Sequence, residues 1–293
     1  MHISFTASTA DAGRRLKNFL QQKNRLSTAL WRKIKWNGTL LRNNAPAGPN
    51  DVLQAGDVIT CSWDESSPVF PAHVPLDILY EDDALLAVNK PAGMLIHPTG
   101  RFTRETLVSA VAGYYTEKGI QAGIHPVYRL DRDTTGIVLI AKSAQGQHAL
   151  SASHDCIRRE YLALAAGIWP SDRGILEQPI ARDESHPCRF LVSEKGRPAI
   201  TEYTVLQQFP TFALLKFRLR TGRTHQIRVH CAHIGHPLVG DGLYGGPVDV
   251  LSHQALHAWR LTFRHPVSGK TLVLTAPPEE EIKNMIKKAK SEE

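Results

Sequence analysis

Two neighbouring runs, ITEYTVLQ at 200–207 and FALLKFRLR at 212–220, alternate apolar and polar side chains. A strand points successive side chains to opposite faces, so this alternation marks half-buried antiparallel strands. IVLIA at 137–141 reads as a buried strand, and LLAVN at 85–89 and YLALAAGIW at 161–169 read as further strands. QALHAWRLTFRHP and KTLVLTA supply two late ones, at 254–266 and 270–276. Helical segments fall between them at ETLVSAVAGYY, QGQHALSASH and THQIRVHCAHIG, the last with Thr224 placed to cap its start. Strands and helices do not follow a regular βαβ rhythm. The fold class expected is therefore α+β, with a mainly antiparallel mixed sheet.

The first 63 residues stand apart. They carry nine Lys and Arg against Asp11, Asp51 and Asp57, a surplus of six out of the chain's net +7. No acidic residue occurs between Arg14 and Arg42. Within this stretch Leu16, Phe19, Leu20, Leu26, Leu30 and Ile34 recur at mostly three- and four-residue steps. Two short amphipathic helices follow, the second capped by Ser27. Arg14, Arg15, Lys17, Arg32, Lys33 and Lys35 fall between the apolar positions and project outward. A basic surface of this kind is the electrostatic footprint of a polyanion binder. Residues 37–63 read as small strands and turns, and the Pro/Ser-rich 64–75 as a linker. The expected domains are 1–63 and 76–293.

With 42% hydrophobic and 22% charged residues, the chain is globular. No apolar run approaches the ~20 residues that span a bilayer. The start shows no apolar core of a secretory signal, and the four cysteines form no CxxC pair. A reducing cytoplasm is expected, without a disulfide framework or zinc ribbon.

Two places hold candidate chemistry. In VYRLDRDTTGIVLIA, 127–141, a carboxylate lies between arginines at the mouth of a buried strand. It reads either as a salt-bridged structural turn or as a fixed, ionised carboxylate. From Tyr203 to Gly240 there are five basic residues and no acidic one, and TGRTHQIR forms a Gly-bearing turn feeding a helix. Such a turn suits an anion, either phosphate or a carboxylate from elsewhere in the chain. His225, His230, His233 and His236 crowd the same segment, but their spacing does not suit a metal.

Ordered motifs across nearly the whole chain resemble the RluA-type RNA pseudouridine synthases. They are Asn89-Lys90-Pro91-Ala92-Gly93 with His97-Pro98, Arg129-Leu130-Asp131 with Thr134-Thr135-Gly136, Tyr161 after Arg159-Glu160, and Thr221 to His230. Gly235 to Leu238, Gly240-Asp241, Tyr244-Gly245, and His257-Ala258 through His265-Pro266 extend the set. Tyr128 stands where the family commonly has His, and Thr-Thr-Gly replaces Thr-Ser-Gly. The basic first segment is similar to the S4-like RNA-binding domain often fused to these enzymes.

The resemblance implies an isomerase that converts uridine in RNA to pseudouridine without cofactor or metal. Asp131 would be the essential carboxylate, with Arg228 paired to it and Tyr161 stacked on the base. Arg129 would enter the RNA stack where the uridine leaves. Arg223 and His225 would contact phosphate or hold their loop, and Leu261 would floor the base pocket or belong to the core. The expected partner is ribosomal RNA, with tRNA as the alternative, acted on by a monomer away from membranes. A non-catalytic RNA-binding or ribosome-assembly protein and a metal-dependent hydrolase are the competing readings.

Overall fold

The computed structural model describes residues 2–22, 25–63, 69–98, 105–151 and 157–291. The first strands are β1 (His2–Thr6), β2 (Thr39–Arg42), β3 (Ala45–Pro46) and β4 (Val58–Ser62), all antiparallel in the order β1-β4-β2-β3. Helices α1 (Leu16–Leu20) and α2 (Thr28–Asn37) lie between them in sequence. Leu16, Phe19, Leu20, Leu26, Leu30 and Ile34, the periodic apolar positions, form one core with Ile59 and Cys61. The Ser27 side chain accepts a hydrogen bond from the Leu30 amide at 3.1 Å, which satisfies an otherwise orphaned helix donor. Arg14, Arg15, Arg32 and Lys35 are exposed, and Lys17 and Lys33 are half-buried. Residues 64–68 of the expected linker lie outside the described residues.

The second sheet has ten strands. These are β5 (Ile78–Glu81), β6 (Leu85–Lys90), β7 (His125–Pro126), β8 (Thr135–Ala141), β9 (Ile157–Ala166), β10 (Arg173–Leu176), and four more beyond a separate hairpin. The hairpin is β11 (Ile180–Arg182) with β12 (Phe190–Val192). The remaining strands are β13 (Thr201–Gln208), β14 (Phe212–Leu219), β15 (Leu256–Arg264) and β16 (Thr271–Thr275). The main path runs β10-β13-β14-β9-β15-β8-β6-β5, with β7 added to β8 and β16 to β15. Among the described residues only the short β8–β15 contact is parallel, so the mixed, mainly antiparallel α+β class is what the chain adopts. Helices α3 (Leu107–Lys118), α4 (Ala144–Ser151), α5 (Gln226–His233) and α6 (Glu280–Ser291) complete the fold. No helix among the described residues is long and apolar enough to cross a membrane.

Alternate residues of β6 and β8 enter different cores. Leu86, Val88, Val138 and Ile140 join the larger cluster, and Leu85, Ala87, Ile137 and Leu139 the second. All seven residues of β8 are buried, which explains their near-continuous apolar run. The first unit touches this part of the chain through α4, where Gln145 Nε2 donates to the Arg25 carbonyl at 2.7 Å.

One local expectation changes, and two further segments are defined. Thr224 does not cap α5; His225 does, in the left-handed region at φ 56° and with no side-chain capping bond. The segment Thr134-Thr135-Gly136 is not wholly a turn. The turn closes from the Thr134 amide to the Asp131 carbonyl at 3.2 Å, and β8 already begins at Thr135. The C-terminal segment runs as a regular helix to Ser291 because Ile282 and Ala289 are buried beneath it.

Candidate active site

Asp131 opens the turn that leads into β8, and its carboxylate faces a cleft of about 690 Å³. The loop that carries it is clasped from behind. Lys90, 1% exposed, donates from Nζ to the carbonyls of Pro91 (2.7 Å), Met94 (3.0 Å) and Arg132 (2.7 Å). Burial pushes its pKa down to about 8, against the pull of Asp133, Asp131 and Glu279. The two threonines are fixed as well. Thr134 Oγ1 accepts from Gln254 at 3.2 Å, and Thr135 Oγ1 meets His257 Nδ1 at 2.8 Å.

Gly136 has φ +103°, and a Cβ there would stand 2.3 Å from the Ala258 carbonyl oxygen. The backbones of β8 and β15 approach too closely for any side chain. This contact sets the loop of Asp131 directly against the strand pair that carries Tyr161.

Arg228 comes from α5. Its Nη1 reaches Asp131 Oδ2 at 3.3 Å, so the structure brings the two loops together as a pair. The stronger partner of Arg228 is Asp241, however. Nε and Nη2 bond Oδ2 and Oδ1 of that carboxylate at 2.7 and 2.8 Å. A bidentate fork of this kind fixes the guanidinium plane. Arg228 is charged throughout, because the two carboxylates raise its pKa more than burial lowers it. Asp241 appeared in the sequence only as part of a Gly-Asp pair, and nothing in the sequence gave it a partner 13 residues upstream.

His225 stands 3.9 Å from Asp131 Oδ2, and its Nδ1 meets the Tyr244 hydroxyl at 2.9 Å. Burial lowers its pKa, Arg228 adds to that, and Asp131 and Asp241 oppose it. Among the described residues Asp131 Oδ1 has no protein partner, so one oxygen of the carboxylate is open to the cleft.

Tyr161, 4% exposed, lines the cleft from β9. Burial raises the pKa of its phenol and the Asp131 charge adds to this, with Arg159 opposing. Arg129 is exposed at the cleft edge beside His97. Arg223 lines the same cleft and is turned to the protein, its Nε donating to the Pro198 carbonyl at 2.9 Å.

The turn before α5 is organised by buried Gln226. Its Oε1 accepts from Thr221 Oγ1 at 2.8 Å and from the Arg223 amide at 2.9 Å. Its Nε2 donates to the Ile200 carbonyl and to Thr201 Oγ1.

Leu261 does not floor the cleft. It packs into the second core with Ile137 and Phe263. Leu256 of the same strand lines the cleft instead. The four histidines of 225–236 do not converge. His230 bonds Thr201 and Gln178, His236 bonds the Ala166 carbonyl, and His233 is exposed. The residues predicted in the first unit, Arg14 to Lys35, are not among those lining the cleft.

A family profile for RNA pseudouridylate synthases matches residues 84–233, which carry both Asp131 and Arg228. The RNA pseudouridine synthase YhcT of Bacillus subtilis is 38% identical over 242 residues, covering 80% of each chain. The ribosomal large subunit pseudouridine synthase D of Neisseria meningitidis serogroup A is 35% identical over 291 residues, covering 92% of this chain and 76% of that protein. In fold, human RNA pseudouridylate synthase domain containing 1 superposes with a TM-score of 0.59 at 22% identity, over 75% of this chain and 96% of that one. The chain therefore belongs to the RNA pseudouridylate synthase family, of the RluA type, and isomerises uridine in RNA to pseudouridine.

Proposed function

We propose that the chain modifies large-subunit ribosomal RNA and that Asp131 is its essential carboxylate. One observation carries the assignment of Asp131. Its carboxylate faces the cleft with Oδ2 held by Arg228 and Oδ1 free among the described residues, beside a buried tyrosine.

The isomerisation breaks the bond from C1′ to N1, turns the uracil, and joins C1′ to C5. The C5 proton leaves and N1 gains one, so no atom is gained or lost and no redox partner is required. A carboxylate serves this reaction by attacking C1′ or by removing the C2′ proton, and both roles need it ionised. Two carboxylates share the single charge of Arg228, so the trio keeps a net negative charge. Tyr161 offers its ring face to the base. Arg129, exposed at the edge, fills the gap in the RNA stack when the uridine turns out. Arg223 and His225 hold the loop that presents Arg228, through Pro198 and Tyr244.

The first unit is read as an S4-like RNA-binding domain, residues 1–63. Its support is the surplus of basic residues and the exposure of Arg14, Arg15, Arg32 and Lys35. Ribosomal RNA is supported by the resemblance to large-subunit synthases from several bacteria. Pseudouridine mapping of large-subunit RNA from cells with and without the gene tests the substrate. A uridine that stays unmodified only in the deletion strain is the expected result. Loss of pseudouridine from tRNA alone would assign the enzyme to tRNA.

A further inference from the structure

Arg159 sits on β9 two positions before Tyr161, so the two project from the same side of the strand, and both line the cleft. Its neighbour Arg158 has a carboxylate partner, Glu160, at 3.3 Å. Arg159 has none among the described residues, although Asp131 lines the same cleft. Its contacts are of another kind. The guanidinium carbon lies 5.5 Å from the centre of the Tyr128 ring, within cation–π range. The ring is itself anchored, since the Tyr128 hydroxyl donates to the Ile137 carbonyl at 3.0 Å.

A Cβ at Gly222 would stand 3.1 Å from Arg159 Nη1 and 3.2 Å from Nη2. Gly222 has an ordinary backbone here and is exposed, and a side chain there would press on the Arg159 guanidinium by a few tenths of an ångström. A half-buried cation thus packs against an aromatic ring and a bare turn, with its donors unspent on any carboxylate among the described residues. Such a group needs an anion, because a partly desolvated guanidinium without one is costly. In a nucleotide whose base is stacked on Tyr161 deeper in the cleft, the anion near the exposed turn is the phosphate.

We propose that Arg159 binds the phosphodiester of the flipped nucleotide, and that Tyr128 is the positioning residue that holds Arg159 for it. The inference rests on the reading of this cleft as the uridine site. It also gives Tyr128 a purpose that its place beside Arg129 does not explain.

The test has two arms. In the first, kinetics are measured on an unmodified transcript of large-subunit ribosomal RNA. Arg159→Ala raises KM about tenfold with kcat within about twofold of wild type, as loss of a charge-assisted contact predicts. Tyr128→Leu raises KM in the same way but adds nothing in an Arg159→Ala background, whereas Tyr128→Phe, which keeps the ring face and loses only the anchoring hydroxyl, raises KM less than Tyr128→Leu. In the second arm, binding of an oligouridylate is followed against salt. Arg159→Ala lowers the slope of log affinity on log salt by about 0.7, the value for one single-strand phosphate, and Arg159→Lys restores it. An unchanged slope overturns the proposal, as does a fall in kcat at constant KM. If wild-type enzyme leaves the transcript unmodified, the ribosomal substrate is wrong, and the oligouridylate slope still decides the role of Arg159.

Discussion

Asp241 grips Arg228 edge-on, with Nε to Oδ2 at 2.7 Å and Nη2 to Oδ1 at 2.8 Å, and leaves only Nη1 for Asp131 at 3.3 Å. Asp241 is 1% exposed and Arg228 is 6% exposed. The buried ion pair is therefore Arg228–Asp241, and Asp131 is the third, half-exposed member. That division lets one guanidinium orient Asp131 without cancelling its charge.

Asp131→Asn keeps the shape of the loop and removes the charge. Pseudouridine formation should fall by about 10³-fold or more, a loss in the upper range for a group taking part in the chemistry. The half-exposed position predicts a melting temperature within about 2 °C of wild type. Radiolabel release from RNA containing 5-tritiated uridine measures the first, and thermal unfolding the second. Activity at the wild-type rate would remove Asp131 from the mechanism.

Asp241→Asn breaks the buried pair from the acidic side. Arg228 is left with only the half-exposed Asp131 as a carboxylate partner, and breaking a buried pair costs about 3 kcal/mol, so the melting temperature should drop clearly. Arg228 then turns fully to Asp131 and neutralises it, and kcat should fall about 10²-fold. Unchanged stability would show that Arg228 needs only one carboxylate.

At Gly136 a methyl group has nowhere to go. With φ at +103° and the Ala258 carbonyl 2.3 Å from the position of a Cβ, Gly136→Ala must separate β8 from β15. The expected cost is about 3 kcal/mol or more, read by chemical denaturation. A stable, active variant would mean that the close approach is dispensable.

Acid should weaken the protein through His257. Fully buried, its imidazole is pushed from 6.5 down to about 4. The unfolded chain then binds more protons than the folded one between those values. Stability is complete above about pH 6.5 and is lost as pH falls towards 4, by about 3 kcal/mol from this group. His225 and His230 are displaced in the same direction by burial. Denaturation at pH 7 and pH 5 should show the loss, and His257→Asn should flatten it. Equal slopes for the two proteins would exclude His257 as a source.

Much of the fold was legible because its signals are local. The Ser27 cap, the apolar steps from Leu16 to Ile34 and the alternation on β13 and β14 each depend on neighbours a few residues away. Cap geometry at α5 was not legible. His225 enters the left-handed region, where its ring meets Tyr244, a residue 19 positions on. Leu261 could be pocket floor or core from the sequence, and only the packing of β15 put it in the second core while Leu256 lines the cleft.

The sequence alone determined the element types, the uneven charge and the ordered motifs around Asp131, because these are properties of adjacent residues. Tertiary structure alone decided which charges meet. It set Arg228 between Asp131 and Asp241, residues separated from it by 97 and 13 positions. It left Arg159 against Tyr128 and Gly222 with no carboxylate among the described residues. Pairing of charges depends on distances across the sheet and on burial, and a linear chain specifies neither until it folds.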